Sequence, residues 1–165
     1  IALHVVPFTE VQKALRASGP AQLAVVLYRR MMIRVAVLVA KREGALALVT
    51  GENLAQVASQ TLENLAVIEE ASSLPVLRPL LTHDKVETIA LAKRIGTFET
   101  SIQPYEDCCS LFIPRHPETQ ARIEAVEADE AKVDGTALCA DAIARAERRE
   151  IAAPWLSAAP DAPGE

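Results

Sequence analysis

The sequence predicts an α/β fold, a three-layer sandwich in which helices cover both faces of a mainly parallel sheet. Helical and strand patterns alternate along the chain, and such alternation is typical of parallel strands joined by right-handed crossovers. Residues 45–49 form an entirely apolar run. A run of this kind is expected of a strand that helices cover on both faces.

The first half of the chain supplies four elements of this fold. Residues 1–7 are mostly apolar and predict a short strand that ends at a proline. Residues 21–42 predict a helix, because apolar side chains recur at steps of three and four. The strand over 45–49 follows. The apolar spacing over 54–70 then predicts a second helix that starts soon after the strand.

The second half continues the alternation. Residues 75–79 predict a short strand bracketed by prolines. A third helix is expected to begin at Asp84, whose spacing from Glu87 fits a capping box, and to end at Gly96. Two further helices are expected at the periphery of the sheet, over residues 118–132 and 136–150.

Residues 1–150 are expected to form one domain, and the proline-rich residues 151–165 a flexible tail. The 165 residues are 50% hydrophobic with a mean hydropathy of +0.16, which is ample for a buried core. A net charge of −5 argues against a free-standing nucleic-acid binder. No run approaches the roughly 20 apolar residues of a membrane span, so no membrane partner is expected. The three cysteines do not make a disulfide framework and no stretch resembles a signal peptide, so we expect the protein in the reducing cytoplasm.

The turn after the apolar strand is a candidate ligand site. Gly51 lies where the strand ends, and a missing side chain permits a close approach of backbone to ligand, although a plain turn glycine is the alternative. Gln56, Ser59 and Gln60 follow and could line a polar pocket. Arg29, on the first long helix, is either part of a solvated face or turned inward to meet a phosphate.

Two adjacent thiols, Cys108 and Cys109, form the second candidate site. Their spacing does not suit zinc, because Cys139 stands 30 positions after Cys109 and no C-x₂-C motif exists, so no metal site is predicted. Buried structural thiols are one reading of the pair. The other is a sulfur carrier, since Arg115 and His116 follow closely and cations stabilise a thiolate.

The chain resembles the tRNA 4-thiouridine sulfurtransferases, often called ThiI, from residue 1 to about residue 134. The matching words are LHVVPFTEVQ at 3–12, RRMM at 29–32, TGE at 50–52, QVASQTL at 56–62, PVLRPL at 75–80, IGT at 95–97 and PYEDCC at 104–109. Words of this length in this order are specific to the family.

The resemblance implies an adenine-nucleotide α-hydrolase fold, also called a PP-loop ATPase, and sulfur insertion at uridine 8 of tRNA. In that family ATP, with Mg²⁺, adenylates the uracil O4, and a persulfide sulfur carried on a cysteine then displaces AMP. A cysteine desulfurase supplies the sulfur. The same relay feeds thiazole formation in thiamine biosynthesis in some organisms. The implied partners are therefore tRNA and a cysteine desulfurase.

The resemblance also assigns roles to single residues. Arg29, Gly51 and Gln60 match nucleotide contacts of the family. The catalytic cysteine of the family falls in the Cys108–Cys109 pair, and the residues that follow favour Cys109, with Cys108 as a neighbouring or resolving thiol.

The sequence departs from the family in what it lacks. The Ser-Gly-Gly-x-Asp-Ser loop that binds pyrophosphate is absent, and so are the ferredoxin-like and THUMP domains that bind tRNA. We therefore expect the second half of a PP-loop domain, incomplete at its N-terminus, which adenylates poorly alone. An exposed sheet edge would favour a homo-oligomer.

Two other functions remain open from the sequence. One is a non-catalytic scaffold or dimerisation module that has lost the phosphate loop. The other is a related PP-loop enzyme that adenylates a different carbonyl oxygen, which the PYEDCC word disfavours.

Overall fold

The structure is a computed structural model that describes residues 1–54, 57–104, 114 and 116–152. These residues form a mixed fold of helices and strands. The strands are β1 (Ala2–Val5), β2 (Leu48–Val49), β3 (Val76–Leu77) and β4 (Glu147–Glu150). The helices are α1 (Thr9–Ser18), α2 (Ala24–Arg42), α3 (Leu62–Glu69), α4 (Lys85–Arg94), α5 (Phe98–Ser101), α6 (Ile123–Glu130) and α7 (Gly135–Ala144). Short 3₁₀ turns, Ala21–Leu23 and Ala58–Gln60, lie before α2 and α3.

The strands form two separate pairs in the part of the chain that the structure describes. β2 and β3 are parallel, with Leu48 opposite Val76 and Val49 opposite Leu77. The strands predicted over 45–49 and 75–79 are therefore present but shorter, and they pair in parallel. The expectation that helices cover the 45–49 run on both faces is wrong for Leu46 and Val49, which are 86% and 68% exposed. β1 instead pairs antiparallel with β4. The single mainly parallel sheet of a three-layer sandwich therefore stays a prediction.

The predicted helix over 136–150 is wrong in its last part, where β4 lies. Glutamate and arginine are good helix formers, but helix propensity is a weak preference that tertiary contacts override. Here α7 ends at Ala144, and the backbone of Glu147–Glu150 pairs with β1 along its whole length. The side chains of β4 are exposed, so no apolar stripe marks it as a helix or as a strand.

Helix α2 is the centre of the core. It packs against α1, α3, α6 and α7, and a helix with neighbours on so many sides is apolar around most of its circumference. The predicted helix over 21–42 is confirmed, except that its first turn is 3₁₀. Its buried apolar residues are Ala24, Val26, Leu27, Tyr28, Met31, Ile33, Val35, Val37 and Ala40.

Two predicted helices start later than expected, and one physical cause explains both. Thr61 caps α3 by accepting a hydrogen bond from the Asn64 N–H, so the residues before it form a turn. The Asn64 side chain in turn donates to the Glu118 carbonyl and accepts from the Ala121 N–H. The segment before α6 is thereby held outside a helix, and α6 begins at Ile123 instead of near residue 118.

Other expectations have mixed outcomes. The capping box of Asp84 and Glu87 is confirmed, as is Gly96, whose φ of 75° suits the end of α4. Helix α1 was not predicted, although Val11 and Leu15 are buried at helical spacing. The predicted tail stays a prediction, because residues 153–165 lie outside the described residues. No helix in the described part of the chain is both long enough and apolar enough to cross a bilayer.

Candidate functional site

The candidate site lies at the carboxyl ends of the parallel strands β2 and β3. The chain turns after β2 through residues 50–53, and Arg78 directly follows β3. The Thr50 N–H donates to the Leu77 carbonyl at 3.0 Å, which keeps the two strand ends side by side. Open α/β sheets bind ligands at this edge, because the loops that follow neighbouring strands converge there.

A buried carboxylate, that of Glu52, organises this edge. Glu52 is 4% exposed. Its Oε1 accepts a hydrogen bond from Arg29, and its Oε2 accepts from Arg78 Nε at 2.6 Å and from Thr50 Oγ1 at 2.8 Å. One side chain therefore joins α2, the turn after β2 and the residue after β3. We call Arg29, Glu52, Ser59 and Arg78 the Glu52 cluster.

Arg29 turns inward, so the solvated-face alternative is wrong for this residue. Its side chain is 22% exposed, and its Nη1 donates to Ser59 Oγ at 3.1 Å while Nη2 bonds Glu52. A guanidinium has five N–H donors. Among the described residues only two of these donors have partners, and the others remain available to a ligand.

Arg78 is the more deeply buried arginine of the cluster. Its side chain is 8% exposed and lies between Glu52 and Glu69, with Nη1 2.6 Å from the Glu69 carboxylate. Burial alone would lower its pKa, but the hydrogen bonds to Glu52 and Glu69 outweigh burial and raise the pKa above its ordinary value. Arg78 is thus a permanent cation at the strand edge.

Gly51 and Gln60 lie in sequence beside members of the cluster. No described atom lies within 4 Å of the point where a Cβ on Gly51 would project, and Gly51 does not have a positive φ. Packing of the described residues therefore does not require glycine here. Gln60 follows Ser59, and its buried Oε1 has no partner among the described residues. Such an orphaned acceptor is unusual in a protein interior.

The amide of Asn53 fixes the turn from its far side. Its Nδ2 donates to the Leu80 carbonyl at 3.1 Å and to the His83 carbonyl. A cavity of about 470 Å³ opens beside this contact. The residues that line it are Asn53, Leu54, Leu81, Thr82, His83, Asp84 and Lys85.

The structure brings together three of the five residues predicted for the site. Arg29 bonds Ser59, which adjoins Gln60, and bonds Glu52, which adjoins Gly51. Cys108 and Cys109 lie outside the described residues, as does Gln56. The sulfur-carrier role therefore stays a prediction.

The roles of Glu52, Arg78 and Asn53 were not predicted from the sequence. One signal was available, since a glutamate directly after an apolar strand and a glycine is a candidate buried charge. Its two arginine partners, 23 and 26 positions away, have no local signature.

Comparison with known proteins gives a consistent result. The model of the family described as "Thiamine biosynthesis protein (ThiI)" matches residues 1–134. A probable tRNA sulfurtransferase of Thermus thermophilus is 51% identical over 155 residues, which cover 94% of this chain and 38% of the relative. One of Moorella thermoacetica is 53% identical over 142 residues, covering 84% and 36%. The chain spans about two fifths of the length of these curated relatives.

A solved structure is similar as well. The crystal structure of a 4-thiouridine synthetase–RNA complex with bound ATP superposes with a TM-score of 0.84 at 42% sequence identity. The match covers 90% of this chain and 39% of that chain. The resemblance in the sequence words is thereby confirmed over the same residues, and the chain belongs to the ThiI family.

Proposed function

We propose that this chain contributes to an ATP-dependent tRNA sulfurtransferase that forms 4-thiouridine at uridine 8, and that the carboxyl edge of β2 and β3 receives the adenine nucleotide. The observation that carries the proposal is Arg29. Its guanidinium is held at this edge by Glu52 and Ser59 and keeps donors that no described residue uses, as a phosphate-binding arginine should.

The neighbouring residues fit a nucleotide on independent grounds. The space beside Gly51 lets a ligand approach the backbone closely. The orphaned Gln60 acceptor would gain a partner from an N–H or O–H group of a nucleoside. The similar solved structure holds ATP and RNA, which supports ATP as the nucleotide.

Metal at this site would come with the nucleotide. The described residues contain no group of three or more histidines, cysteines, aspartates or glutamates that could hold a metal ion. Mg²⁺ commonly binds through substrate phosphates and only one or two carboxylates. Glu52 already has three donors, so Mg²⁺ would be held chiefly by the phosphates of ATP.

The transfer of sulfur to the base is assigned to Cys108 and Cys109. The uracil O4 attacks the α-phosphorus of ATP and releases pyrophosphate. The terminal sulfur of a persulfide on Cys109 then attacks C4 of the adenylated base, AMP leaves with the former O4, and a disulfide joins the base to Cys109 Sγ. Cys108, its neighbour in sequence, is the resolving thiol: its thiolate attacks Cys109 Sγ, the bond to the transferred sulfur breaks, and 4-thiouridine is released. A cellular thiol reductant opens the resulting Cys108–Cys109 disulfide, and a cysteine desulfurase then regenerates the persulfide. The same sulfur would serve thiazole synthesis for thiamine.

The whole protein is proposed to have the PP-loop three-layer fold, to act in the cytoplasm and to form a homo-oligomer. Several backbone N–H groups are needed to bind a pyrophosphate, and this sequence lacks the glycine pair that provides them in the family. The 165 residues alone should therefore adenylate poorly. If the chain were instead a non-catalytic module, substitution of Arg29 would not change thiouridine formation in any protein that contains the chain.

The test is thiouridine content in a strain whose own thiouridine synthetase is deleted. The natural gene product that carries this chain should restore 4-thiouridine in tRNA, measured by mass spectrometry of nucleosides, and Cys109→Ser should abolish it. Cys139→Ala is the matched control, because Cys139 is buried on α7 with its Sγ 3.8 Å from Met31 Sδ. Wild-type thiouridine with Cys109→Ser would refute the cysteine assignment, and its absence with the unmodified protein would refute the proposed function.

A further inference from the structure

The geometry points to Glu52 and Arg78 as positioning residues of the nucleotide site, which hold the Arg29 guanidinium in its binding orientation before the ligand arrives. This inference rests on the proposed function. Glu52 has no donor to offer a nucleotide, and Arg78 keeps only its buried Nη2 without a partner among the described residues. Both act through Arg29 and through the turn that contains Gly51.

Both oxygens of the Glu52 carboxylate accept hydrogen bonds. It accepts from Arg29 on one oxygen and from Arg78 and Thr50 on the other. A buried carboxylate with three donors has one orientation, because any rotation would leave a charged group without its partners. The position of Oε1, and with it the position of Arg29, is therefore fixed by contacts on the strand side.

Arg78 fixes the carboxylate in turn. Its Nε bonds Glu52 and its Nη1 bonds Glu69 at the end of α3, each at 2.6 Å. Two carboxylates on different elements thus hold one buried guanidinium. The two arginines and the two carboxylates, Glu52 and Glu69, balance in charge, so an anion at this edge would be bound through the unused donors of Arg29.

The consequence for binding is preorganisation. A free arginine loses side-chain freedom when it grips a phosphate, and that loss weakens binding. In this cluster the loss is incurred on folding. If Glu52 and Arg78 no longer position Arg29, the affinity for nucleotide should fall, while the affinity for RNA should not change.

The test uses the natural gene product and the charge-balanced variant Glu52→Gln/Arg78→Gln, which removes the buried anion and the buried cation together. We expect the KM for ATP to rise about tenfold or more, because small displacements of a binding group have large effects. The KM for tRNA should stay within about twofold. The matched control is Asp141→Asn/Arg145→Gln, an exposed ion pair on α7, which should leave both constants unchanged.

A double-mutant cycle separates positioning from a general structural effect. Arg29→Ala should raise the KM for ATP strongly in the wild type but by less than about twofold in the Glu52→Gln/Arg78→Gln background, since Arg29 is no longer held there. Equal effects in both backgrounds would overturn the inference alone. No effect of Arg29→Ala in the wild type would instead refute the nucleotide site of the proposed function.

A second variant allows the same test if the double variant does not fold. Glu52→Asp keeps the charge, but its shorter carboxylate cannot reach Arg29 and Arg78 together. The same cycle is then run in that background, with thermal unfolding as the check on folding. An ATP KM at the wild-type value in folded Glu52→Asp would also overturn the inference.

Discussion

Two neighbouring arginines on α2 show how one residue type has two uses in this protein. Arg29 and Arg30 are adjacent in sequence, so their side chains leave the helix about 100° apart. Arg29 belongs to the Glu52 cluster at the edge of the parallel strands. Arg30 is 1% exposed and lies in the core.

Every nitrogen of the Arg30 guanidinium has a hydrogen-bond partner in the protein. Its Nε and Nη2 make a bidentate pair with Glu130 at 3.1 and 2.9 Å, Nη2 also bonds Glu70 at 2.8 Å, and Nη1 donates to the Val67 carbonyl. Arg34 adds a bond to Glu130 at 2.8 Å. We call Arg30, Arg34, Glu70 and Glu130 the Arg30 cluster. It ties α2 to α3 and α6.

The difference between Arg29 and Arg30 lies in what remains unpaired. All three nitrogens of the Arg30 guanidinium have protein partners, so Arg30 serves helix packing. Arg29 keeps donors without partners among the described residues, and its cluster adjoins Gln60, whose buried Oε1 has no described partner either. A buried nitrogen without a described partner also occurs on Arg34 and on Arg78, one in each cluster, so such an atom alone does not mark a binding site.

The largest effect is expected from breaking the Arg30 cluster. Arg30→Met leaves the buried Glu130 with Arg34 alone, and loss of one partner of a buried pair costs about 3–5 kcal/mol. Arg29→Met is the matched control and should cost less, about 1–2 kcal/mol, because Glu52 keeps Arg78 and Thr50 as donors. Urea unfolding measures both. Similar losses for the two variants would contradict the comparison.

A fall in pH should weaken the Arg30 cluster, because Glu130 becomes protonated. Burial by itself would raise the pKa of Glu130, but hydrogen bonds from Arg30 and Arg34 outweigh it and lower the pKa below its ordinary value of 4.5. A lowered pKa in the folded state contributes stability that is complete above pH 4.5 and is lost as pH falls through the lowered value.

The measurement is the free energy of unfolding against pH. It should decline below about pH 4.5 with a contribution from Glu130 of at most about 1.4 kcal/mol per pH unit. Glu130→Gln, less stable at neutral pH, should show a shallower decline. Glu43→Gln is the comparison variant, because Glu43 also has a lowered pKa, caused chiefly by its hydrogen bond from Arg148, but that pair is exposed and screened. An unchanged slope in Glu130→Gln would contradict the assignment.

The smallest effect on stability is expected at Gly51. Substitution there should affect nucleotide binding instead, and it therefore distinguishes the two clusters most clearly. Gly51→Ala adds a methyl group where no described atom lies within 4 Å, so the unfolding free energy should change by less than about 1 kcal/mol. The same methyl group would obstruct a nucleotide that approaches the backbone, and the KM for ATP of the natural gene product should rise.

Gly135→Ala is the matched control. Its Cβ would come within 2.6 Å of Met31 Cε, the flexible end of a side chain that can shift, so the unfolding free energy should change by about 1 kcal/mol or less while the KM for ATP is unchanged. Unchanged ATP kinetics in Gly51→Ala would remove that glycine from the proposed site.

Elements with a strong local pattern could be predicted from the sequence. The period of apolar residues identified α2, the apolar run identified β2, and Asp84 with Glu87 identified the start of α4. Helix α1 and strand β4 were not predicted. Helix α1 begins after Phe8 without a capping side chain, and β4 exposes its side chains and depends on pairing with distant β1.

The sequence by itself determined the family, the central helix and the two parallel strands, because each is written in consecutive residues. The tertiary structure alone decided which charges meet. Glu52 lies 26 positions from Arg78, and Arg30 lies 100 positions from Glu130. Whether an arginine is closed by carboxylates or left open to a ligand depends on chain segments that only folding brings together. Arg29 and Arg30 therefore look alike in the sequence and differ in the structure.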